Sequence, residues 1–149
     1  MGNDIVTRVR LSLVMNPETP PETLAALSTI LSAELLARLA EHPSTSAAVL
    51  SELSEHADAE VRAAVTENPN TPVEVLLRLA RDENVDVRYR LAENARAPYD
   101  VLALLVEDDN PYVAWRAERT LVRLTSRNGA PTPLNIPAAP PARKMRETG

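Results

Sequence analysis

A step of 26 residues runs through this chain of 149 residues and constrains its fold more than any other feature. A polar residue followed by proline or alanine recurs at that step, as Asn16-Pro17, His42-Pro43, Asn68-Pro69 and Asn94-Ala95. Four apolar columns keep the same step without a gap: Leu24, Leu50, Leu76 and Leu102; Leu27, Leu53, Leu79 and Leu105; Val9, Leu35, Val61, Val87 and Val113; Leu13, Leu39, Val65, Leu91 and Ala117. Self-similarity at a period of roughly 20–50 residues is typical of a solenoid, in which stacked units bury a core that one unit alone cannot.

The first half of each unit is predicted to form a helix, helix A. In the third unit it covers the segment AEVRAAVTEN, residues 59–68, and it ends there because proline disfavours the α conformation in the residue before it. A column of residues that cap helix N-termini precedes this helix: Ser32, Asp58, Asn84 and Asn110.

The second half of each unit is predicted to form a short helix, helix B. Thr71 is the expected N-cap and Pro72 the first helical residue, a position that proline favours. Glu74 stands three residues after Thr71, and Thr19 and Glu22 repeat this spacing, which is that of a capping box. The unit is therefore a pair of helices joined by a proline-containing hinge.

The fifth unit departs from the pattern. Its hinge column falls at Thr120-Leu121, so no proline interrupts the helix, and we expect one long capping helix to about Arg127. Its core side at helical spacing would be Val113, Ala117, Leu121 and Leu124. Residues 128–149 are rich in proline and are expected to form a disordered tail, which leaves residues 1–127 as the repeat domain.

Composition limits the chemistry available to the chain. Hydrophobic residues make up 44%, but only 3% are aromatic and phenylalanine is absent, so the core must consist of Leu, Val and Ala. The absence of cysteine excludes disulfides, thiolate metal sites and cysteine nucleophiles. With three glycines, two histidines and no nucleophile–base arrangement, we expect no enzyme, no cofactor and no metal.

The N-terminus is polar, and no run of apolar residues is long enough for a membrane span. A cytoplasmic location is the expectation.

Charge is unevenly spread along the chain, whose formal net charge is −5. Residues 1–60 carry three arginines against nine acids, a net charge of −6, whereas residues 111–149 carry seven bases against two acids, a net charge of +5. Opposite charges at the two ends suggest head-to-tail self-association, which would produce filaments or rings.

The best candidate binding surface combines aromatic and arginine columns near the C-terminal end. Val87 and Leu91 face the core, so the residue between them, Tyr89, and its equivalent Trp115 are expected on the outer surface. The candidate partner-binding residues are Tyr89, Arg90, Tyr112, Trp115, Arg116 and Arg119, a mixture enriched in binding hot spots. The alternative is that Tyr89 packs on its neighbours and the tail covers Trp115.

Two arginine sets have competing interpretations. A stripe along the last helix could bind an anionic partner such as nucleic acid, or it could be the solvated face of a cap: Arg116, Arg119, Arg123 and Arg127. A second row, Arg10, Arg62 and Arg88, is expected to pair with carboxylates of the adjacent repeat, such as Asp58, Asp82 or Asp108.

The pattern V-R-x-x-V-x-x-N-P-x-T-P-x-x-x-L-x-x-L-A, which begins at Val61 and ends at Ala80, resembles the leucine-rich repeat variant family. The resemblance covers roughly residues 5–120. It implies an all-α, right-handed helical solenoid of about five repeats, similar to HEAT repeats, with no shared enzymatic activity. The chain departs from the family in its longer repeat and in lacking the N-terminal cysteine cluster of the founding member.

The predicted function is a non-catalytic protein-interaction module or adaptor. The alternatives are a helical-repeat protein that binds nucleic acid through the arginine stripe, and a structural protein that assembles head to tail.

Overall fold

The structure, a computed structural model, describes residues 2–127. It assigns them to nine α-helices and no β-strand: α1 (Gly2–Met15), α2 (Pro21–Leu27), α3 (Ala33–Glu41), α4 (Ala47–Leu53), α5 (Ala59–Val65), α6 (Val73–Leu79), α7 (Val85–Glu93), α8 (Tyr99–Val106) and α9 (Pro111–Arg127). The chain divides into two compact units, unit 1 up to Pro72 and unit 2 from Val73 onward. The tail predicted at residues 128–149 lies outside the described residues.

Unit 1 contains the A helices α1, α3 and α5 and the B helices α2 and α4. Helix α3 packs between α1 and α5, and α4 packs against both α3 and α5. The leucine columns predicted from the sequence form its core, where Leu24, Leu39 and Leu50 are fully buried. The all-α fold of stacked helix pairs is thus confirmed for this unit.

Polar side chains in the hinges of unit 1 connect one repeat to the one before it. His42 Nε2 donates to the Asn16 carbonyl oxygen at 2.8 Å, because its Nδ1 accepts from the Ser44 amide at 3.0 Å. Asn68 Nδ2 donates to the carbonyl oxygens of Ala40, at 2.7 Å, and of His42, at 2.9 Å. These buried contacts satisfy carbonyls at the end of an A helix, which lack a partner within their own helix. We call them hinge rungs.

The threonine column has a different role from the one predicted. Thr19 does not cap α2; its N-cap is Pro20, which makes no side-chain hydrogen bond. Instead the hydroxyls of Thr19, Thr45 and Thr71 donate to the carbonyl oxygens six residues earlier, in the last turn of the preceding A helix. The capping boxes are wrong because the B helices begin one residue later than predicted, at Pro21 and at Val73, and the threonine hydroxyl turns back towards helix A.

Unit 2 contains α6 to α9. Helix α9 packs against both α7 and α8, and its 17 residues run without interruption to Arg127, as predicted from the missing proline. Val113 and Ala117 are buried as expected, but the next buried residue is Thr120, whereas Leu121 and Leu124 are half-exposed. The expected core position was wrong because the Thr120 hydroxyl donates to the Ala92 carbonyl oxygen of α7 at 2.6 Å, which turns that side of α9 inward.

The N-cap column is confirmed at three of its four positions. The side chains of Asp58, Asn84 and Asn110 accept hydrogen bonds from backbone amides two residues later, at 2.8–2.9 Å. Ser32 makes no such bond to α3. These caps fix where each A helix begins, and Asn110 thereby sets the start of α9.

Arg88 confirms the expected pairing between neighbouring repeats. Its guanidinium binds the Asp108 carboxylate through two nitrogens, Nε at 2.8 Å and one terminal nitrogen at 3.2 Å. The other terminal nitrogen donates to the Asp82 carbonyl oxygen at 2.7 Å. Both charged side chains are largely buried, with 15% and 7% of their surfaces exposed.

We expect this pair to stabilise unit 2 measurably. A double-mutant cycle of Arg88→Ala and Asp108→Ala should give a coupling energy of about 1–3 kcal/mol, because the pair is bidentate and desolvated. The same cycle on Asp4 and Arg8, whose side chains are 75% and 77% exposed at 4.0 Å, should give less than about 1 kcal/mol. Urea unfolding of the variants measures both energies, and equal values would contradict the argument from burial.

Candidate functional site

The candidate site lies on one face of α9. Tyr112, Trp115, Arg116 and Arg119 stand at positions i, i+3, i+4 and i+7, so they share one side of the helix. Arg123 continues the same line one turn later. The buried residues Val113, Ala117 and Thr120 form the neighbouring side, which packs on the rest of unit 2.

Helix α7 contributes the other two candidate residues, Tyr89 and Arg90. They occupy the repeat positions equivalent to Trp115 and Arg116, and α7 packs directly against α9. Equivalent positions on neighbouring stacked helices lie on the same side of a repeat array. We call the six residues the aromatic–arginine face: Tyr89, Arg90, Tyr112, Trp115, Arg116 and Arg119.

The aromatic side chains of this face are half-buried rather than fully exposed. Tyr89, Tyr112 and Trp115 all have intermediate exposure, so the expectation that Tyr89 and Trp115 lie on the outer surface is only partly met. The guanidinium carbon of Arg119 stands 5.5 Å from the centre of the Trp115 ring, within the range of a cation–π contact. Trp115 therefore presents a partly covered ring whose orientation is held by the arginine one turn away.

Arg116 links the two helices of the face. One of its terminal nitrogens lies 3.4 Å from the Glu93 carboxylate of α7. Its Nε atom is buried and has no hydrogen-bond partner among the described residues, and the same is true of the Tyr112 hydroxyl. A buried polar group without a partner costs about 1–3 kcal/mol, so two such groups on one face require an explanation.

The arginines further along α9 are open to solvent. Arg119, Arg123 and Arg127 are exposed, and none has a carboxylate partner within residues 2–127. Since Arg119 belongs to both candidate sets, the aromatic–arginine face and the predicted anion-binding stripe are one continuous surface. That surface has an aromatic centre and a basic extension towards the C-terminal end of α9.

A separate cleft of about 310 Å³ lies elsewhere in unit 2 and is lined by Arg81, Asp82, Arg88, Glu107, Asp108 and Asp109. One of its two arginines, Arg88, is already bound by the Asp108 carboxylate and by the Asp82 carbonyl oxygen. The cleft is therefore explained by the contact between repeats and does not need a ligand.

The described residues contain no group of three or more His, Cys, Asp or Glu side chains placed to hold a metal ion. Each histidine has a structural position. His42 forms a hinge rung, and His56 Nδ1 accepts from the Asp58 amide in a turn at 3.0 Å. Within residues 2–127, no helix combines the length and the apolar character needed to cross a membrane.

Two family models match the chain. The leucine rich repeat variant domain matches residues 11–68, and the leucine rich repeat variant matches residues 59–84. Residues 11–84 are thus similar to the leucine rich repeat variant family. The structure extends the same arrangement of A and B helices beyond the matched residues, from α7 to α9. Neither a curated protein nor a solved structure shows a significant match.

Leucine rich repeat variant repeats are helical modules that generally serve protein interaction, and they are structural modules rather than enzymes. The similarity to these repeats is therefore compatible with a binding role and names no partner. Any specific partner must be recognised by the side chains that this chain places on its repeats.

Sequence reasoning missed two residues of the site. Glu93 holds Arg116, and its place in the last turn of an A helix gave no sign of this contact. Thr120 joins α9 to α7 below the face. It could have been found, because it occupies the hinge-rung column of Asn68 and makes the equivalent bond, 28 residues back along the chain.

Proposed function

We propose that this protein is a non-catalytic protein-interaction module that binds its partner through the aromatic–arginine face. The observation that carries the proposal is the pair of buried atoms without partners, the Tyr112 hydroxyl and Arg116 Nε, beside the half-buried Trp115 ring. A binding partner that draws these two side chains outward can supply the hydrogen bonds that they lack. Aromatic residues and arginines that are already partly desolvated are the usual centres of binding energy in protein interfaces.

The charge of the surface favours an acidic partner. The exposed Arg119, Arg123 and Arg127 extend the face, and the Glu93 carboxylate of α7 is already engaged with Arg116. A carboxylate-bearing segment with one large apolar side chain would match both parts of the surface, with the apolar group against Trp115 and the acids along the arginines. We therefore propose an acidic segment of another protein as the ligand.

Replacing Trp115 with alanine is expected to weaken partner binding by about 2 kcal/mol or more, which is a loss of roughly 30-fold in affinity. The partner is first captured from the native cell lysate with the wild-type protein and identified. Titration calorimetry with the purified partner then compares wild type with Trp115→Ala, Arg119→Ala and the double variant Tyr89→Ala/Trp115→Ala.

Tyr99→Ala is the matched control. Tyr99 is an aromatic residue of the same unit, it is 68% exposed, and it lies on α8 outside the aromatic–arginine face. We expect this variant to bind like the wild type. If Trp115→Ala kept full affinity while its circular dichroism matched the wild type, the proposed surface would be rejected.

A nucleic-acid-binding protein is the second candidate, because three arginines of α9 are exposed and have no carboxylate partner within residues 2–127. In that case binding would fall steeply as salt rises, with a slope set by the number of phosphates contacted. The lysate capture separates the two functions. Retention of a protein after nuclease treatment supports the first candidate, and nucleic acid retained equally by wild type and Trp115→Ala supports the second.

A further inference from the structure

Arg88 and Arg116 stand in neighbouring repeats of unit 2, and each has a carboxylate beside the same edge of its guanidinium group, the edge formed by Nε and the terminal nitrogen Nη2. Arg88 uses both atoms of this edge: Nε donates to the Asp108 carboxylate at 2.8 Å and Nη2 at 3.2 Å. Arg116 uses only one of them. Its Nη2 lies 3.4 Å from a Glu93 oxygen, whereas its Nε is buried without a hydrogen-bond partner among residues 2–127.

The contact between Arg116 and Glu93 is weak. Charge-assisted hydrogen bonds between a guanidinium and a carboxylate measure about 2.7–2.9 Å, so a separation of 3.4 Å is long. The Glu93 side chain is 42% exposed, and a partly exposed ion pair contributes little because water competes for both charges. The buried Nε–H lacks an acceptor, which costs more than an ordinary hydrogen bond contributes. The arrangement in which Glu93 holds Arg116 is therefore only weakly favoured.

We propose that Arg116 is the carboxylate-binding residue of the aromatic–arginine face, and that Glu93 holds it until a carboxylate of the ligand takes its place. This inference rests on the proposed function, because it concerns the same surface. To bind the ligand, the Arg116 side chain turns out of its buried position and offers Nε and Nη2 together, as Arg88 does to Asp108. The ligand gains the hydrogen bond that Glu93 does not make, and the exposed Glu93 carboxylate returns to water.

The atoms without partners indicate the chemistry of the ligand. Arginine Nε can only donate a hydrogen bond, and the buried Tyr112 hydroxyl, one turn earlier on α9, can also donate. An ionised carboxylate only accepts, and it has two oxygens, so it suits both donors. Unit 2 already places a carboxylate at this arginine edge twice, at Asp108 and at Glu93, which favours a carboxylate over a phosphate. The ligand group is therefore an aspartate or glutamate side chain of the acidic segment.

Glu93 makes the affinity of this site depend on the exchange of one carboxylate for another. Only the molecules in which Arg116 is released are ready to bind, and the apparent affinity is reduced by that fraction. Removing the charge of Glu93 should therefore strengthen binding, whereas removing a side chain that contacts the ligand weakens it. The sign of the effect distinguishes a competitor from an ordinary residue of the binding surface.

The test uses hexaglutamate as the carboxylate probe and the full chain labelled with ¹⁵N. The Nε–H signal of Arg116, assigned by its loss in Arg116→Lys, should shift in a saturable way as the peptide is added. In Glu93→Gln the half-saturating concentration of the peptide should fall about threefold or more, because Arg116 is then released in most molecules. In Arg116→Ala, followed by the fluorescence of Trp115, the additional change Glu93→Gln should bring no gain.

Glu118→Gln is the matched control for the loss of one negative charge. Glu118 lies on α9 two residues from Arg116, and residues two apart on a helix do not face each other. We expect this variant to need nearly the same peptide concentration as the wild type. A thymidine oligonucleotide of equal charge, titrated at the same salt concentration, provides the phosphate comparison and should bind Arg116 more weakly than the peptide.

The proposal is overturned if hexaglutamate leaves the Arg116 signal unshifted in Glu93→Gln, or if wild type and Glu93→Gln need equal concentrations. Tighter binding of the oligonucleotide would also overturn it and favour the nucleic-acid candidate. The proposed function fails by a different result. If Trp115→Ala kept full affinity for the captured partner while the peptide still replaced Glu93, Arg116 would remain a carboxylate site but the partner would bind elsewhere.

Discussion

Replacing Leu102 with alanine is expected to lower the free energy of unfolding of unit 2 by about 2–5 kcal/mol. Leu102 has no exposed surface and lies in α8, which packs against α6, α7 and α9. The substitution removes the transfer energy of the lost methyl and methylene groups and leaves a cavity that rigid helix contacts cannot close. No aromatic side chain is fully buried among residues 2–127, so no large side chain of the core can move into the space.

The measurement is urea unfolding followed by the fluorescence of Trp115, the single tryptophan of the chain, which reports on unit 2. Leu104→Ala is the control, because Leu104 lies in the same helix and is only half-buried. We expect this variant to lose distinctly less stability than Leu102→Ala, with the same dependence on urea concentration. Equal losses would mean that the leucine column is not the core of the repeat.

Replacing Asn68 with alanine is expected to cost about 2–4 kcal/mol, because three backbone groups each lose a hydrogen bond at once. The His42 carbonyl keeps a second bond, from the Thr45 amide. Its amide nitrogen serves the carbonyls of Ala40 and His42, and its carbonyl oxygen accepts from the Asn70 amide at 2.8 Å. The side chain is only 4% exposed, so water cannot easily take its place. A buried carbonyl left without a donor costs more than the hydrogen bond itself contributes.

Asn70 provides a control with the same chemistry. Its amide nitrogen also donates to two carbonyls of the preceding repeat, those of Pro43 at 2.8 Å and Thr45 at 3.1 Å, but the residue is exposed. Asn70→Ala should therefore cost less than about 1 kcal/mol, since water can bind the freed carbonyls. Urea unfolding followed by circular dichroism compares the two variants. A smaller loss for Asn68→Ala than for Asn70→Ala would refute the assignment of the hinge rungs as buried supports.

The repeat step made most of the fold predictable. Residues that recur every 26 positions occupy equivalent places in successive repeats, so a recurring leucine indicates a buried position. The prediction was correct for all four leucines of one column: Leu24, Leu50, Leu76 and Leu102. The uninterrupted course of α9 through Thr120 and Leu121 was predictable for a related reason, because the absence of a proline is visible in one sequence. The right-handed course of the whole array and the boundary at residue 127 stay predictions.

The predictions that were wrong concern side chains that form a hydrogen bond to a neighbouring helix in place of the local contact that the sequence pattern indicates. Thr71 precedes a helix and has a glutamate at the correct spacing, yet its hydroxyl serves the Val65 carbonyl of the preceding helix. Leu121 is the more apolar neighbour of Thr120, yet Thr120 is the buried one, since it reaches the Ala92 carbonyl. In both cases a contact between elements outweighs the local pattern, and a single sequence does not display such contacts.

The sequence predicted which repeat positions contribute to the candidate site, but it did not predict the contacts between their side chains. Helical spacing alone indicated that Tyr112, Trp115 and Arg119 share one side of α9. It did not indicate that Arg116 would be drawn to Glu93, or that Tyr112 would bury its hydroxyl without a partner. Those features arise only when α7 and α9 pack, and they are the ones that motivate the binding proposal.

The hinge rungs allow the chain to gain or lose one whole repeat at a time. Each rung connects a side chain to a backbone carbonyl about one repeat earlier, and a backbone carbonyl is present whatever residue bears it. Recombination between repeats that removed residues 17–42 would join Asn16 to Pro43, restore an Asn-Pro pair and keep the reading frame. Arrays of this kind can therefore gain or lose whole repeats during evolution, and the new junction needs no compensating substitutions.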